Sequence, residues 1–436
     1  MNQKIIEYIK NHYKNNFPKK EFIPSKTSIP ASGKIFDQNE LIMMTEAVLK
    51  GWWTDAEYCL KLEEKLAKYI GVKYCSLVNS GSSANLVAFA SLTSHLLKEK
   101  KINEGDEVIS VAAGFPTTIN PIINYKCVPV FVDIDIKTLE IDTNKLEKAL
   151  SKKTKAVFIA HTLGNSFNIK AIKTFCNKHD LWFIEDNCDA LGTEYNGKKT
   201  GSFGDLATLS FYPAHHITTA EGGAILTNNP ILHKIARSIR DWGRDCWCPT
   251  GKDDTCKNRF NWQLGKLPKG YDHKYIYSHI GYNLKMTDIQ AACGLAQLKK
   301  LDVFIAKRRK NHEIAKQKLE KFNKYFNFVE ATENSNPSWF GFIITLKKNC
   351  QFTRTDLLKY LTDKKIGTRL IFAGNITKQP YFCNYDINHR IVGKLINTDR
   401  VMNDSFWIGV YPKLEKKHYD YIANCFENFI NKHKTS

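Results

Sequence analysis

The tightest constraint on the fold is an alternation between residues 70 and 230. Short apolar runs (YCSLVNS, EVISVAA, VPVFVDI, AVFIAHT, LWFIEDN, ATLSFY and GAILT) are mostly separated by helical stretches such as SANLVAFASLTSHLLKEK and IKAIKTFCNKHD. This pattern argues for an α/β protein with a mainly parallel sheet and helices on both faces. A helical run is expected from Thr287 to about Phe322. The last hundred or so residues mix strand (WFGFIITL) with helix (TRTDLLKYLTDKK) and read as a smaller α+β domain. The expected division is a helical extension over 1–29, a large domain over 30–300 and a small domain over 301–436. A cysteine- and tryptophan-rich insertion occupies 241–280 of the large domain.

A chain of 436 residues can bury one large core and a second, smaller one. No apolar run reaches the roughly 18 residues of a membrane span. The opening MNQKIIEYIKNHYKNNFPKK mixes charge throughout and reads as an amphipathic helix without a signal-peptide core, as expected of a cytoplasmic protein. The net charge of +20 comes from 64 Lys plus Arg against 44 Asp plus Glu. These basic residues are scattered and mostly lysine, with no arginine-rich stripe, so nucleic-acid binding is not expected. An anionic small substrate or an acidic protein partner fits the charge.

Three strand ends carry candidate chemistry. In VNSGSSANL, Gly81 permits a tight turn, and the N–H groups of the helix that follows can hold a phosphate. FIEDNCDALG ends a strand on two acids, and Asp186 falls where open α/β sheets place their ligands. A carboxylate there suits a pyridinium nitrogen; capping the next helix is the structural alternative. SFYPAHHITTAEGGAI carries His215 and His216, imidazoles that titrate near neutral pH.

Of twelve cysteines, Cys59, Cys75, Cys127, Cys176, Cys293, Cys350, Cys383 and Cys425 lie among apolar neighbours and read as core. Cys188, Cys246, Cys248 and Cys256 are spaced C-x57-C-x-C-x7-C, the last three in the polar segment RDWGRDCWCPTGKDDTCKNRF. Four thiolates can hold zinc or an iron–sulfur cluster. The spacing leaves both open and leans to zinc.

Together these motifs resemble the sugar aminotransferase family of fold-type I pyridoxal-phosphate enzymes, which act on nucleotide-linked keto sugars. The resemblance runs from about Pro30 to the C-terminus and rests on VNSGSSAN, FIEDNCDALG, GSFGDLATLSFYPAHHITTAEGGAI and GYNLKMTDIQAACGLAQL. It implies that Gly81, Ser82 and Ser210 bind the cofactor phosphate, Asp186 the pyridine nitrogen, and Phe115 the ring face. Asn283 is implied to reach the phosphate site of a neighbouring subunit in a homodimer. Aligned on Ser210 and Phe211, the family's lysine falls on His215. A lysine amine forms a Schiff base with the cofactor aldehyde and an imidazole cannot. Within the family this change resembles the 3-dehydrases, which use pyridoxamine phosphate and remove a sugar hydroxyl. His215 is then the implied base, with His216 the adjacent alternative. Tyr212 and Asp189 form a second tier. Phe340 and Arg369 are implied to close over the sugar, Arg369 on a substrate phosphate.

The four-cysteine pattern resembles the [2Fe–2S] motif of the iron–sulfur 3-dehydrases of 3,6-dideoxyhexose synthesis, as do GYDHKYIYSHIGYN and GTRLIFAGNITKQPYF. CDP-4-keto-6-deoxyglucose is the implied substrate, with dTDP- or GDP-linked sugars as alternatives. An NAD(P)H-dependent iron–sulfur flavin reductase is the implied partner. A cluster on Cys188, two residues past Asp186, would lie close to the cofactor. The competing readings are a cluster-free 3-dehydrase recharged by an amino donor, and a zinc-stabilised scaffold that binds nucleotide sugars or nucleic acid.

Overall fold

The structure, a computed structural model, describes residues 1–434 apart from Pro249 and Asn349. In chain order its strands are β1 (Tyr74–Val78), β2 (Glu107–Val111), β3 (Val128–Val132), β4 (Thr154–Ala160), β5 (Trp182–Asp186), β6 (Glu194–Tyr195), β7 (Lys198–Lys199), β8 (Leu206–Ser210), β9 (Gly223–Thr227), β10 (Phe326–Phe328), β11 (Ser335–Asn336), β12 (Gly341–Leu346), β13 (Thr368–Arg369), β14 (Arg390–Ile391) and β15 (Ser405–Gly409). All seven apolar runs become strands of one eight-stranded sheet, ordered β1-β9-β8-β5-β4-β2-β3-β14. From β8 to β14 every pairing is parallel, whereas β9 runs antiparallel to both of its neighbours. This is the expected α/β architecture with a parallel-dominated sheet.

Side chains alternate across a strand, so each central strand feeds two cores. On β4 and β5, Phe158 and Ile184 pack with Val87, Phe89 and Ile235 of helices Gly81–Ser91 and Pro230–Arg240. Val157, Ile159 and Phe183 face Ile172 and Phe175 of helix Ile169–Lys178. The second face continues into an antiparallel sheet, β10-β12-β15-β13, whose Phe342, Ile344, Phe406 and Ile408 belong to the same buried cluster. A small sheet, β11-β6-β7, ties the segment before β12 to the large sheet's loops.

Three details depart from the sequence pattern. The run from Thr287 breaks at Lys299 and Lys300 into helices Asp288–Leu298 and Leu301–Leu319. β14 returns from the C-terminal third to pair with β3, Arg390 opposite Val130. Cys383 is exposed on the short helix Pro380–Asn384, and Cys350 is only half-buried, which corrects the reading of both as core. The amphipathic N-terminal helix is present over Gln3–Asn16. Among the described residues no helix is long and apolar enough to cross a membrane.

Candidate active site and cysteine centre

The carboxyl ends of β1, β5 and β8 converge. The two acids that end β5 face opposite ways, as successive strand residues must. Glu185 is fully buried, accepts from the backbone N–H groups of Gly201 (2.9 Å), Phe203 (2.8 Å) and Gly204 (2.6 Å), and lies 3.0 Å from His161 Nε2. Burial alone would raise its carboxyl, but His161 and these N–H groups hold it below the usual range. Glu185 therefore organises the loop before β8.

Asp186 faces the site. One carboxylate oxygen accepts from Asn85 Nδ2 (2.8 Å) and Thr118 Oγ1 (2.7 Å), the other from the Cys188 N–H (3.2 Å). Thr208 Oγ1 in turn donates to Asn85 Oδ1 (2.7 Å). Asn85, Thr118 and Thr208 come from two helices and a strand distant in sequence, and no local motif marked them.

Helix Gly81–Ser91 starts against the end of β8. A Cβ on Gly81 would stand 2.5 Å from Ser210 Cβ and 3.2 Å from Cys188 Sγ, so only glycine allows this approach. Ser80 Oγ caps the helix by accepting from the Ser83 N–H (3.0 Å). The N–H groups of Gly81 and Ser82 then have no intrahelical acceptor and point out of the helix end. With Ser210 beneath and Ser82 exposed at the rim, this is a cradle for an anionic group. Phe115 is exposed at the mouth, at the start of the helix that carries Thr118.

His215 lies in the loop after β8, its N–H donating to the Tyr212 carbonyl (2.9 Å). Its Nδ1 is 3.4 Å from Asp189 Oδ1 but makes no hydrogen bond, and its ring centroid is 5.2 Å from that of Phe340. Burial, then the Arg308 charge, pull the imidazole down to about 4 against the opposing pull of Asp186 and the Cys188 carbonyl. Burial, then Asp186, push the Asp189 carboxyl up to about 8. Both groups are thus neutral near pH 7, and His215 is free to accept a proton. His216 is committed elsewhere: its Nε2 bonds the Ser338 carbonyl at 2.8 Å and its ring is buried. Of the adjacent pair, only His215 is available.

Arg308, which the sequence reading passed over, clamps this loop to the segment leading into β12. It is 1 % exposed, and its guanidinium donates to the carbonyls of His215 (3.2 Å), Trp339 (3.3 Å) and Phe340 (3.4 Å). Gly164 allows the same close approach: with φ +92°, a Cβ there would strike the Ser338 carbonyl oxygen. Phe340 is thereby brought against His215. Tyr212 is exposed at the rim. Arg369 is exposed and donates to the neighbouring Thr368 carbonyl, and exposed Asn283 accepts from Lys285 Nζ at 2.9 Å.

The cysteines divide differently from their spacing. Cys246, Cys248 and Cys256 surround His273, their sulfurs 3.2, 3.9 and 3.5 Å from its Nε2. Burial works against the Cys248 thiol, yet hydrogen bonds from Thr255, Cys256 and Cys246 bring it down to about 6, toward the thiolate that binds metals. Cys188 is not in this group. Its sulfur is 3.9 Å from Thr208 Oγ1, and burial followed by the charge of Asp186 pushes its thiol well up. The turn after β5 brings the Cys188 sulfur up to Gly81, apart from the other three cysteines with which the spacing groups it. The sequence reading passed over His273, which no recognisable spacing links to Cys256.

Residues 34–427 match the model of the DegT/DnrJ/EryC1/StrS aminotransferase family. The chain is 51% identical over 430 residues, 99% of its own length and 98% of the relative's, to the lipopolysaccharide biosynthesis protein RfbH of Salmonella typhimurium. It is 46% identical over 411 residues, 94% of its length and 88% of the relative's, to dTDP-4-dehydro-2,6-dideoxy-D-glucose 3-dehydratase of Saccharopolyspora spinosa. A solved Escherichia coli GDP-4-keto-6-deoxy-D-mannose-3-dehydratase with bound hydrated PLP superposes with a TM-score of 0.82 at 30% identity, covering 91% of this chain and 98% of that one. The chain belongs to the DegT/DnrJ/EryC1/StrS aminotransferase family.

Proposed function

We propose that this chain is a pyridoxamine-phosphate-dependent 3-dehydratase of a nucleotide-linked 4-keto-6-deoxyhexose, and that with a reductase it deoxygenates the sugar at C-3. The observation that carries the reading is His215: a neutral, partly accessible imidazole, beside Asp186 and the Gly81–Ser210 cradle, where a transaminase needs a lysine. The residues present fit the cofactor. The cradle that a Cβ on Gly81 would fill suits its phosphate, and Asp186, fixed by Asn85 and Thr118, suits its ring nitrogen. The cysteine centre, with one thiol already near thiolate, fits an iron–sulfur cluster.

When bound, the cofactor supplies an amine that condenses with the sugar's 4-keto group and a ring that takes up electron density, and the cluster supplies electrons singly. The chain's part is to position and to move a proton. His215, held by Arg308 through its carbonyl, takes the proton from the cofactor's C4′ carbon. Neutral Asp189 beside His215 Nδ1 places no charge on that base. Phe340, packed against His215, keeps water from the reacting face.

Resemblance favours CDP-4-keto-6-deoxyglucose as substrate, an NAD(P)H-dependent flavin reductase as donor, and a homodimer. Two of the relatives are named for dTDP- and GDP-linked sugars, so the nucleotide is to be decided by a panel. With pyridoxamine phosphate and each of the CDP-, dTDP- and GDP-linked 4-keto-6-deoxy sugars in heavy-oxygen water, one sugar should take up solvent oxygen at C-3. With a surrogate reductase and NAD(P)H the same sugar should yield a 3-deoxy product. A 4-amino sugar as the product would refute the reading.

A further inference from the structure

Phe372 sits in a turn that its side chain does not favour. Its φ is +45°, in the left-handed region that bulky residues rarely enter. The turn follows β13 and is held from both sides. The Leu370 carbonyl accepts from the Phe372 N–H (2.9 Å) and from Trp407 Nε1 (3.1 Å), and the Ile371 carbonyl accepts from the Gly374 N–H (2.8 Å). Gly374 is required where it stands: at φ +67°, a Cβ would come within 2.6 Å of Met402 Cγ. Strain of this kind persists only where the surroundings impose it, and it gathers at functional sites.

The turn brings its ring to the mouth of the site. The Ala373 N–H donates to the Gly114 carbonyl (3.2 Å) and the Ile376 N–H to the Ala112 carbonyl (3.0 Å), which fastens the chain beyond β13 to the residues that lead into Phe115. Phe372 then stands edge-on to Phe115, the ring centroids 5.7 Å apart and the planes at 88°, an arrangement that aromatic quadrupoles favour. Phe115 needs such a partner. It is 50 % exposed at the N-cap of helix Pro116–Asn124, whose Thr118 bonds Asp186. An exposed phenylalanine turns among staggered rotamers about its Cα–Cβ bond. Among the described residues, Phe372 is the one aromatic ring against it.

We infer that Phe372 is a positioning residue: held in its strained turn, it fixes the Phe115 ring in the orientation that faces the cofactor, and acts on cofactor binding without touching the cofactor. The inference rests on Phe115 as the ring that covers the cofactor, and deepens that reading. Pyridoxamine phosphate is titrated into the full-length, cofactor-depleted protein, following its affinity and the circular dichroism that the bound cofactor acquires. Phe372→Ala should weaken binding roughly two- to tenfold, the range of an aromatic edge pair, and reduce the cofactor's dichroic band. Phe372→Gly should do the same, because glycine accepts the left-handed turn at no steric cost and only the ring is lost. This variant keeps the test open where Phe372→Ala fails to fold, which a melting curve identifies. Phe372→Tyr keeps the ring edge and should bind as the wild type does. Phe115→Ala should weaken binding at least as much, and adding Phe372→Gly to it should cost nothing further, the signature of two residues acting as a unit. Wild-type affinity in Phe372→Gly beside weakened binding in Phe115→Ala would overturn the inference and leave Phe115 its role. Losses that simply add in the double variant would overturn it equally. Wild-type affinity in Phe115→Ala would remove the reading of Phe115 and the inference with it.

Discussion

At the scale of single residues the site depends on which titratable groups remain available. Glu185 is engaged by backbone N–H groups and His161, and His216 by the Ser338 carbonyl, whereas Asp186 and His215 present themselves to one space. The lowered imidazole of His215 has a measurable consequence. In the unfolded chain it takes a proton near the ordinary value of 6.5, but in the folded chain only near 4. Its contribution to stability is therefore present above pH 6.5 and is lost as the pH falls toward 4. In the cofactor-free protein, an NMR titration should show the His215 ring neutral at pH 6, with a midpoint near 4. A midpoint near 6.5 would contradict the burial that the structure gives it. This availability was only partly legible in the sequence. The adjacent pair His215 and His216 could be ranked only through the family resemblance, because the physical distinction depends on the Ser338 carbonyl, in the loop before β12.

At the scale of elements, the alternating strands of the large sheet were legible because buried parallel strands are continuously apolar. The partners of Asp186 were not, since helix Gly81–Ser91, helix Pro116–Asn124 and β8 bring Asn85, Thr118 and Thr208 together only through sheet order. The antiparallel β9 and the return of β14 to β3 were likewise beyond periodicity, which does not encode direction. The cysteine insertion was recognised as a centre, but the His273 ring among its sulfurs was not legible from spacing. An element attached outside the main sheet should separate dehydration from reduction. Cys246→Ser should leave the core of the large sheet folded, because among the described residues no core cluster includes that loop. It should retain solvent-oxygen exchange at sugar C-3 and form no 3-deoxy product with reductase and NAD(P)H. Full product from the variant would show that electrons do not pass through the centre. Loss of C-3 exchange in the folded variant would tie the centre to dehydration.

At the scale of the whole molecule, the proposed reading has Asn283 complete the phosphate site of a neighbouring subunit. Asn283 is exposed beside Ile280, which is 92 % exposed, and Tyr277, which is 51 % exposed. Exposed apolar side chains gathered into a patch mark interaction surfaces, and these two flank the position the dimer reading needs covered. Sedimentation at assay concentration should show a dimer, and Asn283→Ala should weaken pyridoxamine-phosphate binding without lowering thermal stability. An active monomer would refute a site shared between subunits. The assembled enzyme also allows the most direct test of the exchange of lysine for histidine, at the cofactor's C4′ hydrogen in deuterated water with the keto sugar present. His215→Asn should bind pyridoxamine phosphate as the wild type does and lose C4′ exchange by roughly 10²–10⁴-fold, the range expected when a general base is removed. Exchange at the wild-type rate in His215→Asn would contradict the role assigned to His215.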